Sequence, residues 1–345
     1  MNKHPYSTSA SPLLPMRRNK AQSDPLLSIC LLIVTLGMLS TLTGCLSFQT
    51  KALKEDTNRY VSVGTRPQKI RYYKRGKSSA PAVILLHGYG SAGSIWRFLT
   101  PLLEKSGYRT YALDLPGFGQ SDKYKGNYET SHIAKLVVEF MKKKGIKRAD
   151  LVAHSWGSSV ALSVAVQYPR KVRRIIINSG WVFSKQIVPV IRWAKVPVLG
   201  ELVYGLFFKE RPGDKFALSV YDKKKFVNMA VVQHIKKDFK RPGYLAAALA
   251  VARGMNFEKQ EKQYKTLKHE TLLIWGKQDR VSLPFYGRRL ESELPNAQLI
   301  LVNRCGHIPM IERTHQVNRI MLNFLGNAST VPFIPDPYSK QKSSR

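Results

Sequence analysis

"DLVAHSWGSSVAL", residues 150–162, runs from an apolar stretch through a histidine and a serine into small residues and then apolar ones again. Two readings of Ser155 compete. A serine just ahead of a helix is commonly its N-cap, accepting a backbone N–H of the first turn. Alternatively the segment is a degenerate G-x-S-x-G, in which a strand turns sharply into a helix and lifts the serine out of the backbone. Ala153 stands at the first glycine position and Gly157 at the second. Small residues belong there because a larger side chain would collide with the neighbouring strand or helix. Five residues cannot decide between these readings, so the flanking chain has to.

The flanks alternate. "RYVSVG" and "KIRYYKRGK" read as two short strands about a glycine-bearing turn. "PAVILLHGYGS" is a continuous apolar run, too short for a typical helix and closed by glycines, as expected of a strand buried on both faces. The pattern then repeats as helix "SIWRFLTPLLEKSG", strand "YRTYALDLPGFG", helix "HIAKLVVEFMKKKG", strand "ADLVAHS", helix "SSVALSVAVQYP" and strand "VRRIIINSG". After a long interruption it resumes with "ETLLIWGKQD", "PFYGRRLESEL", "AQLILVNRCGH" and "HQVNRIMLNFL". Alternation of this kind predicts an α/β fold, a mostly parallel sheet with helices on both faces. The interruption, residues 181–265, reads as helical and aromatic, an insertion between two core strands.

Open α/β sheets bind ligands at the carboxyl ends of their strands. The polar residues at those ends are His87, Asp114, Ser155, Asn178, Asp279 and His307. Ser155, Asp279 and His307 follow one another in the chain order of one known serine–acid–histidine arrangement. Residues 60–325 resemble the α/β-hydrolase fold family, with a helical cap inserted after the sixth strand. The resemblance rests on "LLHGYGSAGSIW", "DLPGFGQSD", "AHSWGSS", "IWGKQDRVSLP" and "CGHIPMIER", five motifs in the family's order. It implies Ser155 as nucleophile, His307 as the base, Asp279 as the residue that orients the histidine, and the backbone N–H groups of Tyr89 and Trp156 as oxyanion donors. It implies no cofactor and no metal.

Other polar residues have plainer readings. His87 reads as structural, Asp114 and Asp122 as turn-fixing, His154 as a packed neighbour of the site and Cys305 as a buried thiol. Serine at position 155 excludes the reactions of relatives that attack with aspartate. What remains is hydrolysis of an ester, with a lipase-like apolar acyl pocket suggested by the cap aromatics, Trp181 and Phe183 among them. The alternatives are carbon–carbon bond hydrolysis, thioester or lactone hydrolysis, perhydrolysis, acyl transfer, and a non-enzymatic binding protein on a degenerate hydrolase fold.

The chain has 345 residues, 43% of them hydrophobic, and 56 Lys and Arg against 22 Asp and Glu, for a formal charge of +34. The cations are spread along the chain in short runs such as Lys223 to Lys225 with no nucleic-acid module, so no nucleic-acid partner is expected. Three cysteines imply no disulfide framework. A basic cluster, Arg17, Arg18 and Lys20, precedes the apolar run "PLLSICLLIVTLGMLSTLTGC", a signal-sequence layout. Its ending, Leu42-Thr43-Gly44-Cys45, resembles the lipobox of bacterial lipoproteins, with Cys45 as the lipid attachment point; the other reading is an uncleaved anchor helix. Either reading predicts an enzyme tethered to a membrane of the bacterial envelope, outside the cytoplasm. The expected organisation is a signal sequence (1–44), a tether (45–60), a hydrolase core in two parts (61–180 and 266–326) around the cap (181–265), and a loose tail (327–345).

Overall fold

The computed structural model of the protein describes residues 59–209 and 212–326. The apolar run ending at Cys45, most of the expected tether and the expected tail lie outside the described residues. Among the described residues no helix is long and apolar enough to cross a membrane.

One eight-stranded sheet organises the chain, in the order β1-β2-β4-β3-β5-β6-β7-β8. β1 (Tyr60–Val63) and β2 (Gln68–Arg75) form an antiparallel pair, and β2 also runs antiparallel to β4 (Arg109–Leu113). From β4 onward every pairing is parallel, through β3 (Ala82–Leu86), β5 (Ala149–His154), β6 (Val172–Asn178), β7 (Thr271–Gly276) and β8 (Ala297–Val302). All of β3 and β5 is buried. The two faces alternate by residue: Val83 and Leu85 join one apolar cluster, Ile84 and Leu86 the other. That is the period of two expected of a strand covered on both sides.

The covering helices follow the sheet order. α1 (Thr100–Lys105) and, at the far end of the chain, α13 (Thr314–Phe324) supply one cluster through residues such as Leu103 and Val317. α2 (Thr130–Lys143), α3 (Trp156–Gln167) and α11 (Pro284–Glu293) supply the other through Phe140, Val160 and Leu290. The segment "SIWRFLTPLLEKSG", expected as one helix, is instead a 3-10 turn at Gly93–Trp96 followed by α1. Pro101 explains the break, because it has no N–H to give to an earlier turn and is accepted at a helix start.

Between β6 and β7 lie seven of the described helices: α4 (Pro189–Trp193), α5 (Leu199–Lys209), α6 (Pro212–Ser219), α7 (Lys223–Phe226), α8 (Met229–Phe239), α9 (Tyr244–Arg253) and α10 (Glu258–Glu261). The short α12 (Pro309–Glu312) follows β8 and meets this insertion where Glu312 accepts from Tyr221 N.

Candidate active site

Ser155 connects the end of β5 to the start of α3 with φ 51° and ψ −124°. A non-glycine residue seldom adopts a positive φ, and such strain persists only where the surroundings enforce it. Here both sides are tied. Ser155 N donates to Asn178 O at 3.0 Å, and Ser155 O accepts from Ser158 N and Trp181 N at 2.9 Å each. A Cβ at Gly157 would fall 2.4 Å from His87 O and 2.8 Å from Leu86 O, so only glycine lets α3 pass β3. The N-cap reading fails, since the Ser155 side chain makes no capping bond.

Its hydroxyl turns instead to His307, with Oγ 2.9 Å from Nε2. On the other side of the ring Nδ1 lies 2.9 Å from Asp279 Oδ2. Asp279 Oδ1 accepts from Val281 N at 2.9 Å and Ser282 N at 2.8 Å, which fixes the carboxylate and leaves Oδ2 for the imidazole. Nδ1 therefore carries the hydrogen, and Nε2 presents its lone pair to the serine hydroxyl. All three side chains are buried. The structure thus brings together Ser155, Asp279 and His307, which are 28 and 152 residues from one another in sequence along the two bonds. This arrangement can move a proton from a serine hydroxyl to a histidine as the oxygen attacks an electrophilic carbon.

The loop after β3 crosses directly over the elbow, because a Cβ at Gly88 would lie 2.9 Å from both Ser155 Cβ and His154 Nδ1. Tyr89 follows in that loop. Trp156 opens α3, where an N–H has no acceptor four residues earlier. Both predicted oxyanion donors therefore sit on the two backbone segments that flank the serine. His87 holds the loop from beneath: its Nε2 accepts from Leu115 N at 2.8 Å, so Nδ1 donates to Gly88 O at 2.7 Å. Burial lowers the His87 pKa to about 4, keeping it neutral. Asp114 ties the neighbouring turns, accepting from Gly93 N at 2.7 Å and Gln120 N at 2.8 Å, and Asp122 accepts from Lys69 N at 2.7 Å. Burial pushes the Cys305 thiol well above its ordinary pKa, which leaves it no nucleophile. Among the described residues no group of three or more His, Cys, Asp or Glu is placed to hold a metal.

Three side chains support the triad: His154, expected as a packed neighbour of the site, and Glu312 and Gln186, which were not assigned from the sequence. His154 donates Nε2–H to His307 O at 2.9 Å and stays neutral, its pKa held well below the usual value by burial and then by His307. Glu312 clamps the histidine loop, Oε1 accepting from Gly306 N at 2.9 Å and Oε2 from Tyr221 N at 2.7 Å, while His307 N donates to Ser219 O at 2.7 Å. Gln186 donates to Ser282 Oγ at 2.8 Å and to Gly180 O at 3.0 Å, joining the segment after β6 to the Asp279 loop. For Glu312 a signal existed, an acid inside "CGHIPMIER"; for Gln186 there was none.

The immediate surroundings are aromatic. Phe118 meets Tyr89, Trp156 and Tyr244 edge-on, with ring centroids 5.2, 5.8 and 6.0 Å away. Tyr89 reaches out of the core altogether: its hydroxyl donates to Ala248 O in α9 at 2.9 Å and shares a short hydrogen bond with Tyr204 of α5. Phe183, expected to line an acyl tunnel, is instead fully buried against Tyr264 and Tyr286 with Arg289 over its ring. Trp181 stays close to the serine through its backbone. A basic hollow of about 890 Å³, lined by Arg148, Arg170, Arg173 and Arg174 among others, lies at the amino ends of β5, β6 and β7, the edge opposite the triad.

A profile described as the alpha/beta hydrolase fold matches residues 81–314. The chain is 28% identical over 244 residues to an uncharacterised hydrolase, YugF, of Bacillus subtilis, an alignment that takes in 70% of this chain and 89% of the relative. It is also 28% identical over 283 residues to a 2-hydroxy-6-oxononadienedioate/2-hydroxy-6-oxononatrienedioate hydrolase of Paraburkholderia phymatum, across 78% of this chain and 96% of the relative. Among solved structures it is similar to a meta-cleavage product hydrolase of Pseudomonas fluorescens, at 25% identity and a TM-score of 0.63, covering 76% of this chain and 95% of that one.

Proposed function

The chain belongs to the α/β-hydrolase fold family, and from that premise we propose that it is a serine hydrolase in which Ser155 attacks a carbonyl carbon. The observation that carries the reading is the unbroken chain Ser155 Oγ, His307 Nε2 and Nδ1, Asp279 Oδ2, with both links at 2.9 Å. As Oγ bonds to the carbonyl carbon, its proton passes to His307 Nε2. The oxyanion is met by the N–H groups of Tyr89 and Trp156. When the tetrahedral species collapses, His307 returns the proton to the departing group, leaving an acyl-enzyme. Water, deprotonated by the same histidine, releases the acid and regenerates Ser155. Asp279 accepts the His307 Nδ1–H, holds the ring in place and stabilises the imidazolium.

For the bond cleaved we favour carbon–carbon hydrolysis of a 6-oxo dienoic acid. Support comes from the relatives named for that activity, which align over most of both chains. A carboxylic ester with an apolar acyl group is the second reading. It is favoured by the apolar character of the aromatic shell formed by Tyr89, Phe118, Trp156 and Tyr244. The deciding experiment offers the purified protein 2-hydroxy-6-oxo-6-phenylhexa-2,4-dienoate and a series of p-nitrophenyl esters, with fluorophosphonate labelling as a check on the serine. Turnover of the dienoate, lost in Ser155→Ala, is expected. Turnover of esters alone would replace the carbon–carbon reading by the ester one, and labelling that survives Ser155→Ala would remove both.

We further propose that the protein is held at a membrane of the bacterial envelope through Cys45, after cleavage behind Gly44. The support is the basic cluster and apolar run that end at this cysteine. Mass spectrometry of the membrane-borne protein is expected to find a diacylglyceryl group on an amino-terminal Cys45; an intact amino-terminal segment would favour an anchor helix.

A further inference from the structure

The corner between α4 and α5 carries two apolar faces. The inner one is used by the fold: Ile191, Ala194 and Tyr204 are buried. The same side is tied to the end of α9, where Arg253 donates Nε–H to Ala194 O at 2.7 Å and pairs with Glu201 at 2.8 Å, and Lys195 Nζ donates to Met255 O at 3.1 Å. Exposed, by contrast, are Val188, Trp193, Val196, Val198, Leu199 and Leu202, by 41, 52, 47, 58, 42 and 38%, and we infer that they make up an outer face. Scattered apolar exposure is ordinary, but six large apolar side chains within residues 188–202 make a patch.

The tip of this corner is strained. Val198 has φ 65°, and Leu199 N reaches back to Pro197 O at 2.7 Å in a three-residue turn. A β-branched residue pays a steric penalty in that region, where Asp and Asn are tolerated. Holding an exposed valine there makes sense when its side chain has an apolar medium to enter.

Charge selects the medium. Residues 181–200 contain Lys185, Arg192 and Lys195 and no acidic residue, and the first acid beyond them, Glu201, is paired with Arg253. A second copy of the chain would set these cations against their own kind. An anionic bilayer takes both features, since tryptophan settles at the headgroup level and each lysine or arginine near the surface strengthens binding about fivefold. We propose that the outer face of the α4–α5 corner docks on an anionic lipid bilayer. The inference goes beyond the hydrolase reading and does not depend on which bond is cleaved.

Trp193 is a built-in probe, because the other four tryptophans, at positions 96, 156, 181 and 275, are buried. The full chain would be bound to phosphatidylglycerol vesicles with brominated acyl chains, and tryptophan emission compared with that on brominated phosphatidylcholine. Quenching on the anionic vesicles, absent in Trp193→Phe, is expected. Val198→Asp with Leu199→Asp should abolish it, and Lys185→Gln should weaken about fivefold the docking equilibrium that this quenching reads, whatever holds the rest of the chain at the vesicle. Val198→Asp eases the backbone, so its effect is not one of misfolding. Fluorophosphonate labelling of Ser155, retained in these variants, separates a failure here from a failure of the hydrolase reading. Vesicle-bound protein whose Trp193 emission is unquenched would overturn the proposal. So would a dimer in sedimentation equilibrium that Val198→Asp dissociates, because the face would then belong to a second copy.

Discussion

The sheet and the insertion above it treat apolar side chains in opposite ways. Every residue of β3 and β5 is buried. Of the eleven exposed large apolar side chains among the described residues, nine fall between residues 181 and 265. A strand covered on both faces has no outward side to spend an apolar residue on, whereas short helices lying over one edge of a sheet have one each. The difference separates two tasks. Backbone bonds of the core, joined by Trp181 N at the very start of the insertion, hold Ser155 in a strained turn, and core N–H groups fix the Asp279 carboxylate. The insertion carries most of the exposed apolar side chains and sends Tyr204 and Tyr244 to the aromatic residues around the site. The two touch at several points, among them Trp181 on Ser155, Gln186 on Ser282, Ser219 and Tyr221 on the His307 loop, and Tyr89 on α5 and α9.

The largest effect expected is the loss of chemistry from the core alone. Ser155→Ala should lower kcat by at least about 10⁴-fold, and Asp279→Asn by a similar order, because the asparagine amide favours the wrong tautomer of His307. The loss should be the same for short and long acyl groups. A loss confined to long ones would mean that the insertion, not the elbow, supplies the chemistry.

A second prediction uses pH against the core. Burial holds His87 at about 4 against an ordinary 6.5, and His154 moves in the same direction. The unfolded chain therefore takes up protons that the folded one refuses. This contribution is complete above pH 6.5 and is lost as pH falls toward 4, by about 3 kcal/mol for His87. Buried Asp114 and Glu312, raised by burial, act in the opposite sense, so the wild type alone is not decisive. His87→Gln keeps an acceptor for Leu115 N and should flatten the slope of stability with pH between 7 and 4.5 in urea titrations. An unchanged slope would place the acid sensitivity elsewhere.

The smallest effect lies at the seam. Tyr89→Phe strips two hydrogen bonds that reach α5 and α9, at a cost of about 1–2 kcal/mol. Hydrogen exchange should quicken in residues 199–209 and 244–253 and stay slow in β5. Equal quickening in both would show that insertion and sheet open as one unit.

How much of this was legible follows from the range of each signal. Alternation of strand and helix is local, so the mostly parallel sheet and the place of the insertion could be read from "PAVILLHGYGS", "ADLVAHS" and "ETLLIWGKQD". The apolar spacing of "SIWRFLTPLLEKSG" reads as one long helix, whereas Pro101 starts a new one there because it has no N–H for an earlier turn. Phe183 was misread because an aromatic residue looks the same in a sequence whether it lines a tunnel or packs under Arg289.

By itself the sequence determined the fold class and the order Ser155, Asp279, His307, since both are written in short-range pattern and in residue identity. Only the tertiary structure decided that Ser155 is bent to φ 51° rather than capping α3, because that torsion is imposed by Asn178 O and Trp181 N, residues of other segments. It alone decided that Glu312 braces the His307 loop and that Tyr89 spans 115 and 159 residues to reach the insertion. It also decided which face of each short helix looks outward. Short helices carry too few turns for periodicity to fix a face, so the choice falls to whatever they pack against.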